Sequence, residues 1–163
     1  MSGAMRAGLI FAAVGLIAVI ATAFFPLPGP VVCGPLLAVL VGGLAGFYGV
    51  RWSGEQARVG RGVLAGSLSG LGMLIGAVIV YVVLFNSISS DPLFQEQIGA
   101  FLQQQPDANI DPGALSAAVG IAGVVAGLCF GVLNLLLALA FGALGGWLAL
   151  RNRAPAPPIA PLS

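Results

Sequence analysis

The sequence predicts an all-α fold: a polytopic membrane protein built as a bundle of four transmembrane helices, with a short amphipathic helix outside it. Three observations predict this. Residues 7–50, 62–90 and 112–150 contain no Asp, Glu, Lys, Arg or His. The 163-residue chain is 59% hydrophobic and only 7% charged, whereas soluble domains carry roughly a quarter charged residues. The charges that remain are sorted by sign. All six basic residues (Arg6, Arg51, Arg58, Arg61, Arg151, Arg153) fall at the N-terminus, in one short loop and at the C-terminal end. Of the five acids, Asp91, Glu96, Asp107 and Asp111 share a different loop.

The first apolar run, residues 7–25, makes about 28 Å of helix at ~1.5 Å per residue, close to the ~30 Å of a bilayer's hydrocarbon. It stops at Pro26-Leu27-Pro28-Gly29-Pro30, where proline removes backbone donors and clashes with the preceding turn. Arg6, the apolar stretch and Ala21-Thr22-Ala23 also resemble a signal peptide with its cleavage site. The run is long for such a segment, so it is read as a retained span. A second span covers residues 31–50. If it opens at Pro35, that proline occupies the first helical turn, where its missing N–H does no harm.

The loop 51–61 holds three Arg and one Glu, and residues 62–85 form the third span. In the polar segment 86–112, Asp91-Pro92 is a helix start. Phe94, Ile98, Phe101 and Leu102 recur at i, i+4, i+7 and i+8, which predicts an amphipathic helix over about 92–105. It has no Lys or Arg, so attraction to anionic lipid is not its purpose. Capping the bundle is the plain role, and docking a partner the sharper one. Residues 113–150 would be about 57 Å as one helix, too short for two crossings with a turn and long for one. One tilted or protruding helix is expected, started by Asp111-Pro112 and able to bend or end at Gly145-Gly146. The tail 151–163, with Pro155, Pro157, Pro158 and Pro161, reads as a disordered extension. Its PxxP spacing, in a chain of bacterial type, is composition alone.

Clustered Arg marks the cytoplasmic side. Two crossings before Arg51 and two after Arg61 place every charge except Glu55 consistently. Both termini are then in the cytoplasm of a multi-pass plasma-membrane protein, and the acidic segment lies outside. Tyr48, Trp52 and Trp147 fall at the inner interface, and Phe24, Phe25, Tyr81 and Phe85 at the outer one.

Small residues at four-residue spacing are the densest pattern. Gly42 and Gly46 mark the second span, Gly62, Gly66 and Gly70 the third, with Gly72 and Gly76 on another face. The last span carries Gly123, Gly127 and Gly131, then Gly142 and Gly146. Such GxxxG stripes let helix backbones approach, which matters in lipid because apolar burial alone does not hold helices together. Packing within the bundle is the plain reading, and an oligomerisation face the sharper one. By depth, Gly42/Gly46 and Gly62/Gly66/Gly70 should pair the second and third spans as a tight hairpin; a bulky side chain at Gly76, on the other stripe, is expected to cost less if that position faces lipid. Asn134 is the one strongly polar side chain deep in the last span, and a buried amide needs partners. Ser67, Ser69 or a backbone carbonyl could supply them, making Asn134 structural glue rather than a ligand contact.

Catalytic machinery is not expected. The chain has no His, no Lys, no acid pair on a helix and no nucleophile beside a base. Cys33 and Cys129 lack metal or redox spacing. Intramembrane ionisable groups, the mark of pumps, are missing from the spans. A net charge of +1 makes no case for nucleic acid. No enzyme activity, cofactor or metal is therefore expected. The expected partners are the lipid bilayer and either other membrane subunits or a second copy.

From Cys33-Gly34-Pro35 through Gly42-Gly43 and Phe47-Tyr48 to Arg51 and the Gly62–Gly70 stripe, residues 33–76 resemble small uncharacterised prokaryotic four-span membrane proteins. These share a Cys/Gly/Pro-opened span, an Arg-rich hinge and a Gly-striped following span. The resemblance implies four spans and no assigned activity. The expected role is a non-enzymatic structural or accessory subunit acting through helix packing. The alternative is a small oligomeric channel, whose lumen would need Ser67, Ser69, Ser116 and Asn134 multiplied by symmetry.

Overall fold

The computed structural model describes residues 2–24, 29–54, 57–103 and 112–152. Five helices follow one another, and among these residues there is no strand: α1 (Gly3–Thr22), α2 (Gly29–Arg51), α3 (Val59–Ser89), α4 (Pro92–Gln103) and α5 (Pro112–Arg151). Four of them, all but α4, are long and apolar enough to cross a membrane. The fold is an all-α, four-helix membrane bundle.

The chain reverses direction between successive long helices, so both ends of the bundle can be read from contacts. Gly3 of α1 abuts the Trp52 backbone just beyond α2, and Gly146 of α5 meets Gly62 and Val59 of α3 and Val50 of α2. Arg6, Arg51, Arg58, Arg61 and Arg151 therefore gather at one end. Asp91 and Glu96 lie beyond the other, where α4 meets the bundle through α3. Arg151 stays in its last helical turn with its guanidinium 5.6 Å from the centroid of the Trp147 ring, a cation–π arrangement.

Several boundaries differ from expectation in an informative way. Helix α2 opens at Gly29, which puts Pro35 inside it instead of at its first turn. The carbonyl four residues earlier thus has no N–H to receive, a defect that membrane helices tolerate when neighbours re-satisfy the backbone. Helix α5 is a single helix of 40 residues, passing through Gly142, Gly145 and Gly146 without a break because neighbouring backbone packs against all three. At ~1.5 Å per residue it is about 60 Å long, twice the hydrocarbon thickness. Helix α3, with 31 residues, is also over-long, so α3 and α5 project together past the ends of α1 and α2 that lie away from the arginines. Gly123 still packs on Phe85 in that projection. Tyr81, expected at the outer interface, turns inward: its ring stacks on Phe130 with centroids 5.1 Å apart.

Helix α4 begins as the sequence indicated. The Leu93 N–H donates to Asp91 Oδ1 at 2.9 Å and the Gln95 N–H to the Asp91 carbonyl at 3.0 Å. Gln95 Nε2 also donates to the Ser89 carbonyl at 3.2 Å, tying α4 to the end of α3. The expected N-cap Asp111, residues 104–105 of the amphipathic stretch, Phe25 and residues 153–163 of the tail lie outside the described residues.

The interior is built from small side chains. One buried cluster joins Val19, Ala38, Val41, Met73, Ala77 and Val80, and a second joins Ala7, Ala45 and Ala65. Among the described residues, Met73, Val50 and Ser69 are the largest fully buried side chains. Large apolar residues such as Ile17, Leu40, Ile75 and Leu136 point outward. That inversion suits a lipid solvent, where association depends on close packing rather than on hiding apolar surface.

Candidate functional site: the glycine seam around the last helix

Helix α5 lies in a groove between α2 and α3, and glycines set its depth. In the half nearer the arginine-rich end the glycines on α3 face α5. A Cβ on Gly66 would stand 2.6 Å from the Ala138 carbonyl oxygen and 2.9 Å from Gly142 Cα, and one on Gly62 would stand 2.7 Å from the Gly142 carbonyl oxygen. Gly70 meets Leu135 and Ala138 in the same way. In the half remote from the arginines the pattern inverts and α5 supplies the glycines. Gly131 receives Leu74, Gly127 receives Val78 and Tyr81, and Gly123 receives Phe85. The α3–α5 contact is thus close along its whole length, with the glycines on α3 in one half and on α5 in the other.

The α2 stripe faces the same helix. Gly42 would meet the Ala138 backbone at 2.5 Å, and Gly46 abuts Gly142. Gly145 in turn abuts Gly43 and Phe47. Ala138 and Gly142 are therefore gripped from two sides. This corrects the expected hairpin: Gly42/Gly46 and Gly62/Gly66/Gly70 do not pair with each other, because the α5 backbone stands between them. Where α2 and α3 do touch, a Cβ on Gly49 would meet the Ala65 side chain at 2.6 Å. The other stripe on α3 has a partner too. Gly72 abuts Ala12 of α1, and a Cβ on Gly76 would lie 3.2 Å from Val19 Cβ, so that stripe seats α1 rather than facing lipid.

Asn134 is buried, 3% exposed, at the level of Gly34 of α2; a Cβ on Gly34 would lie 3.4 Å from its Nδ2. The serines expected to satisfy it are occupied elsewhere. Ser67 Oγ donates to the Leu64 carbonyl and Ser69 Oγ to the Gly66 carbonyl, each at 2.9 Å. These bonds within the helix are the ordinary way a hydroxyl is satisfied at membrane depth. Among the described residues, Asn134 Oδ1 and the Tyr81 hydroxyl have no hydrogen-bond partner. No interhelical hydrogen bond to Asn134 among those residues replaces the expected glue, and its amide simply packs beside Gly34 at ordinary contact distance.

Three contributors escaped the sequence reading. Ala138 completes the four-residue series Asn134, Ala138, Gly142, Gly146, a signal visible once alanine is counted as small. Gly34 sits opposite Asn134. The glycines of α1 (Gly3, Gly8 and Gly15) abut the Trp52 backbone, Leu68 and Met73, but their irregular spacing forms no stripe. Cys33 and Cys129 are free thiols.

No protein-family model, no curated protein and no solved structure matches this chain.

Proposed function

We propose that the protein is a non-enzymatic structural or accessory subunit of the plasma membrane, with both termini in the cytoplasm, that works through helix packing. One observation carries this reading: the centre of the bundle is filled by helix backbone. Ala138 and Gly142 lie against Gly42 and Gly46 on one side and Gly62 and Gly66 on the other, so the place where a transporter would hold a solute is occupied by the chain itself. The Arg residues at one end of the bundle support the orientation. The outward face of α5, with Ile121, Val125 and Leu136 exposed, supplies a long apolar surface for lipid or for another membrane subunit.

The test is purification from native membranes in mild detergent, followed by light scattering and mass spectrometry of the eluted particle, then reconstitution. The proposal expects the chain in a fixed ratio with another membrane protein, and vesicles no leakier than empty ones. A lone chain, or a ring of copies, that makes vesicles permeable to ions or small solutes would overturn it in favour of a channel.

A further inference from the structure

At the arginine-rich end, the start of α1 and the end of α2 enclose a half-open cavity of about 390 Å³ lined by Gly3, Arg6, Ile10 and Trp52. That volume lies within the ~300–1,000 Å³ of small-ligand sites. Gly3, Arg6 and Ile10 are at i, i+3 and i+7, one face of α1. The same face continues outward-exposed through Val14 and Ile17, an apolar track running about 16 Å along the helix from Arg6 at ~1.5 Å per residue. The Arg6 guanidinium makes no ion pair or hydrogen bond among the described residues.

The walls of this cavity are held. A Cβ on Gly3 would overlap the Trp52 carbonyl, so only glycine lets α1 start this close to α2. The Trp52 ring leans on Tyr48 (centroids 5.6 Å), which is stacked on Phe11 of α1 (6.0 Å). The α1 N-terminus lies on the cavity wall, and the Ser2 side chain does not cap it, leaving its dipole directed at whatever anion sits there.

We infer that this cavity binds an anionic phospholipid, its phosphate on Arg6 beside Trp52 and one acyl chain along Ile10, Val14 and Ile17. A cation at the polar end, an indole at headgroup level and an apolar track below match the two halves of a lipid in order. A free phosphate would use the cation and leave the track unexplained.

The experiment is native mass spectrometry of the detergent-purified, delipidated full chain. It is titrated with dioleoyl phosphatidylglycerol, with dioleoyl phosphatidylcholine and with glycerol phosphate. The expected result is one phosphatidylglycerol retained per chain in preference to phosphatidylcholine, with no retention of glycerol phosphate. Arg6→Gln should weaken phosphatidylglycerol binding about fivefold or more, the worth of roughly one basic residue at a membrane surface. Arg58→Gln, at the same end but outside the cavity, should leave it unchanged. Equal retention of the two lipids by the unaltered chain would overturn the site. So would equal losses in Arg6→Gln and Arg58→Gln, which would mean diffuse attraction. Retention of glycerol phosphate as strong as that of the lipid would overturn the lipid assignment. The comparison of lipids on the unaltered chain stands independently of how either variant folds.

Discussion

Replacing Gly66 by alanine adds one methyl where the seam has no space. The new Cβ would stand 2.6 Å from the Ala138 carbonyl oxygen and 2.9 Å from Gly142 Cα. Ordinary carbon contacts lie at about 3.5–4.0 Å. Both obstacles are backbone, so no rotamer change relieves them, and α3 and α5 must part by roughly 1 Å. Overpacking of this kind costs about 1–3 kcal/mol. Alanine also favours a helix over glycine by about 0.8–1.0 kcal/mol, which offsets part of the loss. Gly120→Ala separates the two effects, because a Cβ there meets nothing within 4 Å and only the helix preference operates. Unfolding in mild detergent, titrated with a denaturing detergent and followed by far-ultraviolet circular dichroism, should place Gly66→Ala below Gly120→Ala by about 1–3 kcal/mol. Gly120→Ala should lie at or above the parent. Equal stability of the two variants would refute the close α3–α5 approach.

Gly76→Leu should destabilise markedly, since its side chain would enter the α1 contact at Val19 and Leu16; a melting temperature equal to the parent's would mean that α1 does not seat there. Asn134→Leu should melt at or above the parent, because it removes a buried acceptor that has no partner among the described residues at nearly constant volume; a loss beyond about 1 kcal/mol would restore Asn134 as an interhelical polar contact, given the usual worth of such pairs. Intact mass of the purified protein should include Arg6, as α1 covers Gly72 and Gly76 of α3; a chain starting after Ala23 would show instead that the first run is a cleaved signal.

The helices and their order were legible in the sequence because lipid permits few alternatives. A charge-free run of spanning length must satisfy its own backbone, and only a helix does so within one segment. Asp91 announced α4 because its carboxylate can take a first-turn N–H, and Leu93 supplies it. What the sequence hid was pairing. Four-residue spacing at Gly62, Gly66 and Gly70 states that some backbone comes near, not whose, and loop proximity suggested α2 where α5 stands. Pro35 would suit a first helical turn by its local chemistry, yet α2 already runs from Gly29 and carries it inside. Asn134 was expected to seek the serines of α3, but a serine can satisfy itself on its own helix, as Ser69 does on Gly66.

The most direct test of the account is which face of the membrane each end of the bundle occupies. Single cysteines at Ser53, at Asn152 and at Gln97, in a background lacking Cys33 and Cys129, would be treated on intact cells with a membrane-impermeant thiol reagent. The four-span arrangement predicts that Gln97→Cys reacts at once, and that Ser53→Cys and Asn152→Cys react only after permeabilisation. Reaction of Ser53→Cys or Asn152→Cys from outside, on cells where Gln97→Cys also reacts, would contradict it.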